Sequence, residues 1–351
     1  MPAARGGPDT VGDVRIEQPS DIVATVDGMY ASDLIAAVVT EFDLFTWLAG
    51  RGPSDAGEIA GHFGLDERAV DVTLTYLVAA GLLHRLADQS VEPTKIARSH
   101  LVADAGPDDL RLYFGMARER PGCLELVDVL RTGDPAPFGS ARRGQQWLTR
   151  MASTPFANQF SAGMDARGRF LAPYAAKALA GVDYRRVLDV GGSTGAYSCA
   201  LVDARAGSTA TVLELPTVVD LSRTLVHERG FADRVEVVAG DMFEALPTGH
   251  DLHLYSHVLH DWDAASIHRL AANSYAALPP GGWLVDHDVH INDDKTGPLA
   301  AAAFSIWMMH VTRGKCWSRP ELARIFGAVG FTDITDHPTT AGCTAIIARK
   351  P

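Results

Sequence analysis

The chain has 351 residues, a formal net charge of −12 and 47% hydrophobic residues, a size and composition that suit a globular protein of two domains. The acidic balance argues against a nucleic-acid partner, which would call for a basic face, and no apolar run reaches the roughly 18 residues of a membrane-spanning helix, so no membrane partner is expected. The four cysteines, Cys123, Cys199, Cys316 and Cys343, lie far apart, form no metal-type pair and fit a reducing cytoplasm.

Residues 1–18 begin Gly/Pro-rich and without an apolar signal core, which predicts a disordered lead-in. Residues 19–104 read as a helical unit with a small wing. Tyr30 to Leu48 carries Leu34, Val38, Phe42 and Phe45 at helical spacing. A helix, a Gly turn and a second helix follow over Asp55–Leu65 and Asp66–Ala80, and the stretch from Gly81 to Pro93 suggests a β-wing. That order is a helix-turn-helix pattern. The DNA-reading version needs a basic, polar second helix, whereas Glu67 to Leu74 is mostly apolar and acidic, so packing or dimerisation is the expected role. Residues 105–180 predict helices broken at Pro121, at Gly133-Asp134-Pro135 and at Pro155. Their Met116, Trp147, Met151, Phe156, Phe160, Met164 and Phe170 are expected mainly in the core, with a few lining a pocket between the domains.

From residue 181 to 351 strands alternate with helices. Strands are predicted at 186–190, 210–214, 235–239, 251–257, 283–289, 331–336 and 343–349, the last two close enough to form an antiparallel hairpin. The fold class is therefore α/β, a Rossmann-like domain with an N-terminal winged-helix unit. The first strand ends at Asp189-Val190 and runs into Gly191-Gly192-Ser193-Thr194-Gly195 before a helix. Glycines let backbone approach a ligand closely, and the helix N-terminus points free N–H groups at it. Glu214 ends the next strand about 20 residues on, where a ribose diol would sit. The glycines are too compressed for the dinucleotide fingerprint, and Asp189 would repel a pyrophosphate but not a sulfonium or an amino group. The reading is S-adenosylmethionine (SAM). Asp241, Met242 and Phe243 after the third strand suit an adenine, and Ser256 closes the fourth strand. His260, between Leu259 and Asp261-Trp262, sits where such sheets place their chemistry and can serve as a base near neutral pH.

These stretches, with Leu278-Pro279-Pro280-Gly281-Gly282 and Ala328-Val329-Gly330-Phe331, resemble the plant-type O-methyltransferase family of SAM-dependent enzymes in its bacterial natural-product branch. The resemblance covers nearly the whole chain. It implies a homodimer interlocked through the N-terminal domains and a small-molecule substrate. It also implies Gly191 and Gly195 at the methionine end of SAM, Glu214 on the ribose, Asp241 and Met242 at the adenine, and His260 as base. Ser193 replaces a usual glycine, and Glu214 a usual aspartate.

One departure bears on the chemistry. In Arg313-Gly314-Lys315-Cys316-Trp317-Ser318, Cys316 stands where the family carries the glutamate that orients its histidine, and a thiol cannot hold an imidazolium as a carboxylate does. Asp288 on the fifth strand remains available as a second acid. His310 precedes the altered loop, and His260, Asp261 and His310 would make two histidines and a carboxylate, a set suited to iron or zinc. That pattern resembles a metal-dependent subgroup that C-methylates 2-oxo acids, with the metal as Lewis acid and Arg313, Arg142 or Arg143 holding the carboxylate. Trp307 and Cys316 would line the substrate pocket. The leading expectation is metal-assisted C-methylation at C3 of a 2-oxo acid. Its alternatives are O-methylation of a phenolic or polyketide metabolite with His260 as base, and a non-catalytic winged-helix regulator that senses a ligand.

Overall fold

The computed structural model describes Ile16 and residues 18–103, 106–137 and 147–351. The expected lead-in, but for Ile16 and Gln18, and both Arg142 and Arg143 lie outside the described residues. The N-terminal half is helical: α1 (Pro19–Asp27), α2 (Ala31–Thr40), α3 (Leu44–Arg51), α4 (Ala56–Phe63) and α5 (Glu67–Ala79) lead into a hairpin of β1 (Leu83–Arg85) and β2 (Val91–Pro93). Then come α6 (Lys95–His100), α7 (Arg111–Gly115), α8 (Pro121–Thr132), α9 (Trp147–Met151) and the long α10 (Thr154–Ala178).

The turn between α4 and α5 is written in cap chemistry. Asp55 and Glu58 form a capping box on α4, Gly64 ends it at φ 64°, and the Asp66 carboxylate accepts from the Ala69 N–H to start α5. The single helix expected over Tyr30–Leu48 is two helices, because Asp43 at φ 46° turns the chain between α2 and α3. Pro19–Thr40 is long and apolar enough by composition to cross a membrane, yet it too is two helices, α1 and α2, with Leu34, Ala36, Ala37, Val38 and Val39 of α2 buried. Met116, expected in the core, is 81% exposed.

The C-terminal half alternates strand and helix: β3 (Arg186–Val190), α11 (Ala196–Ala204), β4 (Thr209–Glu214), α12 (Val219–Glu228), β5 (Val235–Ala239), β6 (Leu252–Ser256), α13 (Ala264–Ala277), β7 (Trp283–Val289), α14 (Leu299–Val311), α15 (Arg319–Val329), β8 (Thr332–Pro338) and β9 (Cys343–Arg349). The seven strands lie in the order β5-β4-β3-β6-β7-β9-β8. The first five are parallel, and β9 runs antiparallel to both β7 and β8. Every residue of β6 is buried, and β3 is buried from Val187 onward, as expected of parallel strands covered on both faces. The strand order reverses at β3, with β4 on one side and β6 on the other, and leaves a crevice at the carboxyl ends of these parallel strands, where α/β sheets place ligands. The helix α14 closes it and packs in turn against α5, α1 and α8, so the N-terminal helices form the back of the same region.

Candidate active site

A cavity of about 420 Å³ opens at the carboxyl ends of β3, β4, β5 and β6. It falls within the size range of small-molecule sites, and two halves can be distinguished by chemistry.

The first half is built by the glycine turn. Gly191, Ser193 and Gly195 all have positive φ, at 69°, 49° and 72°. Gly192 is required by contact instead, because a Cβ there would meet the Asp189 carboxyl carbon at 2.5 Å. Asp189 therefore does not face a ligand as expected. Its carboxylate is fully buried under the turn, accepts a hydrogen bond from Ser198 Oγ at 2.7 Å, and is pushed by burial up to about 7. It shapes the turn from beneath. Glu214 does line the cavity. Its two oxygens accept from the Ser193 N–H at 2.8 Å and the Leu215 N–H at 2.7 Å, so the carboxylate is fixed with lone pairs left for a diol. Burial raises its affinity for protons while those two N–H donors oppose the rise.

Asp241, Met242, Phe243 and Ser256 line the same half. Asp241 Oδ1 accepts from the Phe243 N–H at 2.9 Å. Phe243 meets Trp262 edge-on at 4.7 Å, and Asn273 donates to the Met242 carbonyl at 3.2 Å. A carboxylate flanked by a thioether and an aromatic ring offers both a hydrogen-bond acceptor and a flat apolar slot. A fixed carboxylate with free lone pairs, a glycine turn and this slot together fit the ribose, methionine end and adenine of SAM.

The second half is built at the end of β6. His257 leaves the strand at φ 54° and turns the chain into the short helical turn Leu259–Asp261. His260 is thereby aimed at Asp288 on β7. Its Nδ1 lies 2.7 Å from Asp288 Oδ1, His257 Nδ1 lies 3.2 Å from the same oxygen, and the Val289 N–H donates to it at 2.7 Å. Burial alone would make Asp288 reluctant to ionise, yet the two imidazoles outweigh it and hold the carboxyl well below its usual range. Burial likewise opposes charge on His260, but Asp288 and then Asp261 outweigh it, so His260 holds its proton to higher pH than a free histidine. His257 goes the other way, its burial winning over Asp288. With Nδ1 committed to Asp288, His260 keeps Nε2 for the cavity. Asp261 Oδ1 stands 3.6 Å from that nitrogen, and burial lifts the Asp261 carboxyl to about 6.

The fold does not assemble His260, Asp261 and His310. On α14, Phe304, Trp307, Met308 and Val311 share the face that lines the cavity. His310 falls off that stripe: its Nε2 lies 2.9 Å from Glu125 on α8, and its ring stacks on Tyr30 at 4.2 Å. Burial depresses it to about 4. The compact group that forms instead is His257, His260 and Asp288, with ligand atoms within 4.8 Å of one another. Both histidines turn Nδ1 toward one Asp288 oxygen, His260 in a hydrogen bond and His257 in an ion-pair contact.

Three substrate-binding expectations also move. Cys316 is buried behind the cavity beside Asp71, Lys315 and Glu321, with its N–H donating to Ser305 Oγ at 3.1 Å. Arg313 is exposed and paired with Asp134 at 2.9 Å. Trp307 does line the cavity. Among the described residues, the arginine that the fold brings there is Arg167 on α10, a residue without a motif to mark it in the sequence. Phe160, Met164, Arg167 and Leu171 fall on one stripe of that helix, so a cation within an apolar stripe was the available signal.

An O-methyltransferase domain model matches residues 124–332. The chain is 30% identical over 342 residues to a 3-hydroxy-5-methyl-1-naphthoate 3-O-methyltransferase of Streptomyces sahachiroi, covering 93% of this chain and 90% of that one. It is 28% identical to the tetracenomycin polyketide synthesis 8-O-methyl transferase of Streptomyces glaucescens, covering 96% and 98%. Among solved structures, an O-methyltransferase family 2 protein from Planctomyces limnophilus in complex with apigenin superposes with a TM-score of 0.83 at 30% identity, over 97% of this chain and 99% of that one.

Proposed function

The chain belongs to the O-methyltransferase family, and from that premise we propose that this SAM-dependent methyltransferase methylates a phenolic hydroxyl of an aromatic natural product. The observation that carries the reading is the His260–Asp288 pair, which supplies the oriented, carboxylate-backed base that Cys316 cannot. SAM, when bound, supplies an electrophilic methyl group on a sulfonium. Glu214 would hold its ribose, with Asp241, Met242 and Phe243 around its adenine. His260 Nε2 would accept the phenol proton as oxygen nucleophilicity develops, and Asp288 would stabilise the imidazolium formed. The apolar stripe of α14 would seat the aromatic ring and exclude water, holding oxygen and methyl group at attack distance.

This reading takes the place of metal-assisted C-methylation of a 2-oxo acid, whose histidine pair the fold separates. The relatives fit it, being named for a hydroxynaphthoate and a polyketide. A dimer is supported by the exposed apolar side chains of α1 and α7, namely Ile22, Val26, Leu112 and Tyr113, together with Met29 and Met116 just beyond those helices. Sedimentation at micromolar concentration should give twice the monomer mass, and a monomer would remove it.

The test of the activity is transfer of labelled methyl from SAM to a panel of hydroxynaphthalenes. Product methylated on oxygen is expected. His260→Asn should lower kcat by about 10²- to 10⁴-fold while S-adenosylhomocysteine still binds. Methyl found on carbon, or full turnover by His260→Asn, would overturn it.

A further inference from the structure

Arg167 has no role in the chemistry above, yet it stands in the wall of the cavity. Its side chain is 13% exposed, and Nη1 pairs with Asp27 of α1 at 2.7 Å. Nε and Nη2 are buried without a hydrogen-bond partner among the described residues. Buried N–H donors left unpaired are costly, more so on a charged group. The two free nitrogens are also a particular pair. Nε–H and Nη2–H point the same way and form one complete edge of the guanidinium, the edge that takes both oxygens of a carboxylate at once. Asp27 occupies the other side of the group and fixes it in place.

The position of the guanidinium places Arg167 beside one half of the cavity. Arg167 Cζ lies 4.9 Å from the centre of the Phe304 ring, and the His260 ring meets that same phenylalanine at 5.3 Å. Glu214, Asp241 and Met242 lie at the ends of β4 and β5, on the cofactor side. Arg167 and His260 thus flank a single aromatic surface on the acceptor side.

We propose that the edge formed by Arg167 Nε and Nη2 binds a carboxylate on the acceptor, so that the substrate is a hydroxyarenecarboxylate held by its acid at Arg167 and presenting its hydroxyl to His260. The inference rests on the phenolic O-methylation reading and narrows it. A neutral phenol would leave two charged donors unpaired, and a lone phenolate oxygen would engage only one of them. The edge therefore selects acids over their neutral analogues.

The experiment compares hydroxynaphthoates with the corresponding hydroxynaphthamides. Wild-type kcat/KM should favour the acids by about 10- to 100-fold, the range expected for a lost charged hydrogen-bond pair. Arg167→Gln alone would strand Asp27, so the variant to make is Asp27→Asn/Arg167→Gln, with Asp27→Asn as its control. The acid-to-amide ratio should fall toward one in the double variant and persist in the control. Should the double variant not fold, Arg167→Lys keeps the pair with Asp27 but removes the two-nitrogen edge, and the ratio should fall there as well. A ratio near one in the wild type, or a ratio unchanged by Arg167 replacement, would overturn the proposal. So would weaker binding of S-adenosylhomocysteine in place of the acceptor effect, which would assign the edge to the methionine carboxylate. Calorimetry of hydroxynaphthoate binding to protein loaded with S-adenosylhomocysteine needs no turnover. Arg167-dependent binding without O-methylation would sink the activity reading and leave only the carboxylate site standing.

Discussion

At the scale of single residues, the chemistry turns on which acid reaches His260. Cys316 cannot be that acid, because its thiol is buried and pushed up by that burial, so it offers no charge. Asp288 offers one at 2.7 Å, and its charge is part of what lifts His260. His260 must be neutral to accept a proton, so kcat/KM should fall as pH drops through its raised pKa. Asp288→Asn removes the larger of the two attractions that favour the imidazolium. The acid limb of the kcat/KM profile should therefore move to lower pH, and kcat should drop by about 10²-fold as the base loses its orienting partner. A profile whose acid limb stays in place would show that another group sets it. A histidine at the strand end, the proposed base, was legible in the sequence around His260. Its partner was not, since Asp288 lies 28 residues away and reaches it only because β6 and β7 are neighbours in register.

At the scale of elements, the site depends on two turns meeting. The helical turn Leu259–Asp261 carries His260, and the loop after α14 packs onto its back. Gly314 is the point of contact: a Cβ there would overlap the His260 carbonyl oxygen. Thr312 Oγ1 adds a hydrogen bond to Met308 and accepts from the Gly314 N–H, fixing the loop as it leaves the helix. Gly314→Ala should push the two turns apart. A displacement near 1 Å at a catalytic group costs about 10²-fold in rate, so kcat should fall by that order while S-adenosylhomocysteine affinity holds. Wild-type kcat in this variant would mean the contact does not position His260. The glycine turn after β3 was readable because its demands are local: positive φ at Gly191 and Gly195, and contact with Asp189 at Gly192. The phase of α14 was not readable in the same way. His310 and Trp307 are one turn apart in sequence, and only the packing of α14 against α5, α1 and α8 decides which faces the cavity.

At the scale of the molecule, the N-terminal helices are tied to the catalytic sheet by charge. Lys315 pairs with Asp71 of α5 and, at 2.7 Å, with Glu321 of α15, while Lys295 pairs with the same two acids at 2.6 and 3.0 Å. Lys315 and Glu321 are nearly enclosed, at 9% and 15% side-chain exposure. Lys315→Met would leave two acids sharing one cation, and urea unfolding should show a loss of about 2–4 kcal/mol. No change would mean that Lys295 suffices. The cluster also predicts the direction of acid sensitivity. Burial would raise Glu321, but Lys315 and Lys295 outweigh it and bring its pKa to about 2; Asp71 is lowered by the same cations. Both pKa values lie below those of an unfolded chain, near 4. Their contribution is therefore complete above that value and disappears as pH falls toward 2. Lys315→Met should flatten this acid limb of the stability curve.

By itself the sequence determined the alternation of strands and helices, the seven strands with an antiparallel end, the SAM-type glycine turn with Glu214, and the histidine at the end of β6. Each depends on side-chain period, cap and turn chemistry, or a motif spanning a few residues. Tertiary structure alone decided that Asp189 supports the turn from beneath, that His257 and His260 both approach one oxygen of Asp288, that His310 faces Tyr30 and Glu125, and that Arg167 reaches the cavity while Arg313 stays in solvent. Those outcomes depend on helix phase and on which distant segments pack together. Neither is encoded in local spacing, because a residue's neighbours across a sheet or a helix interface are chosen by the packing of the whole chain.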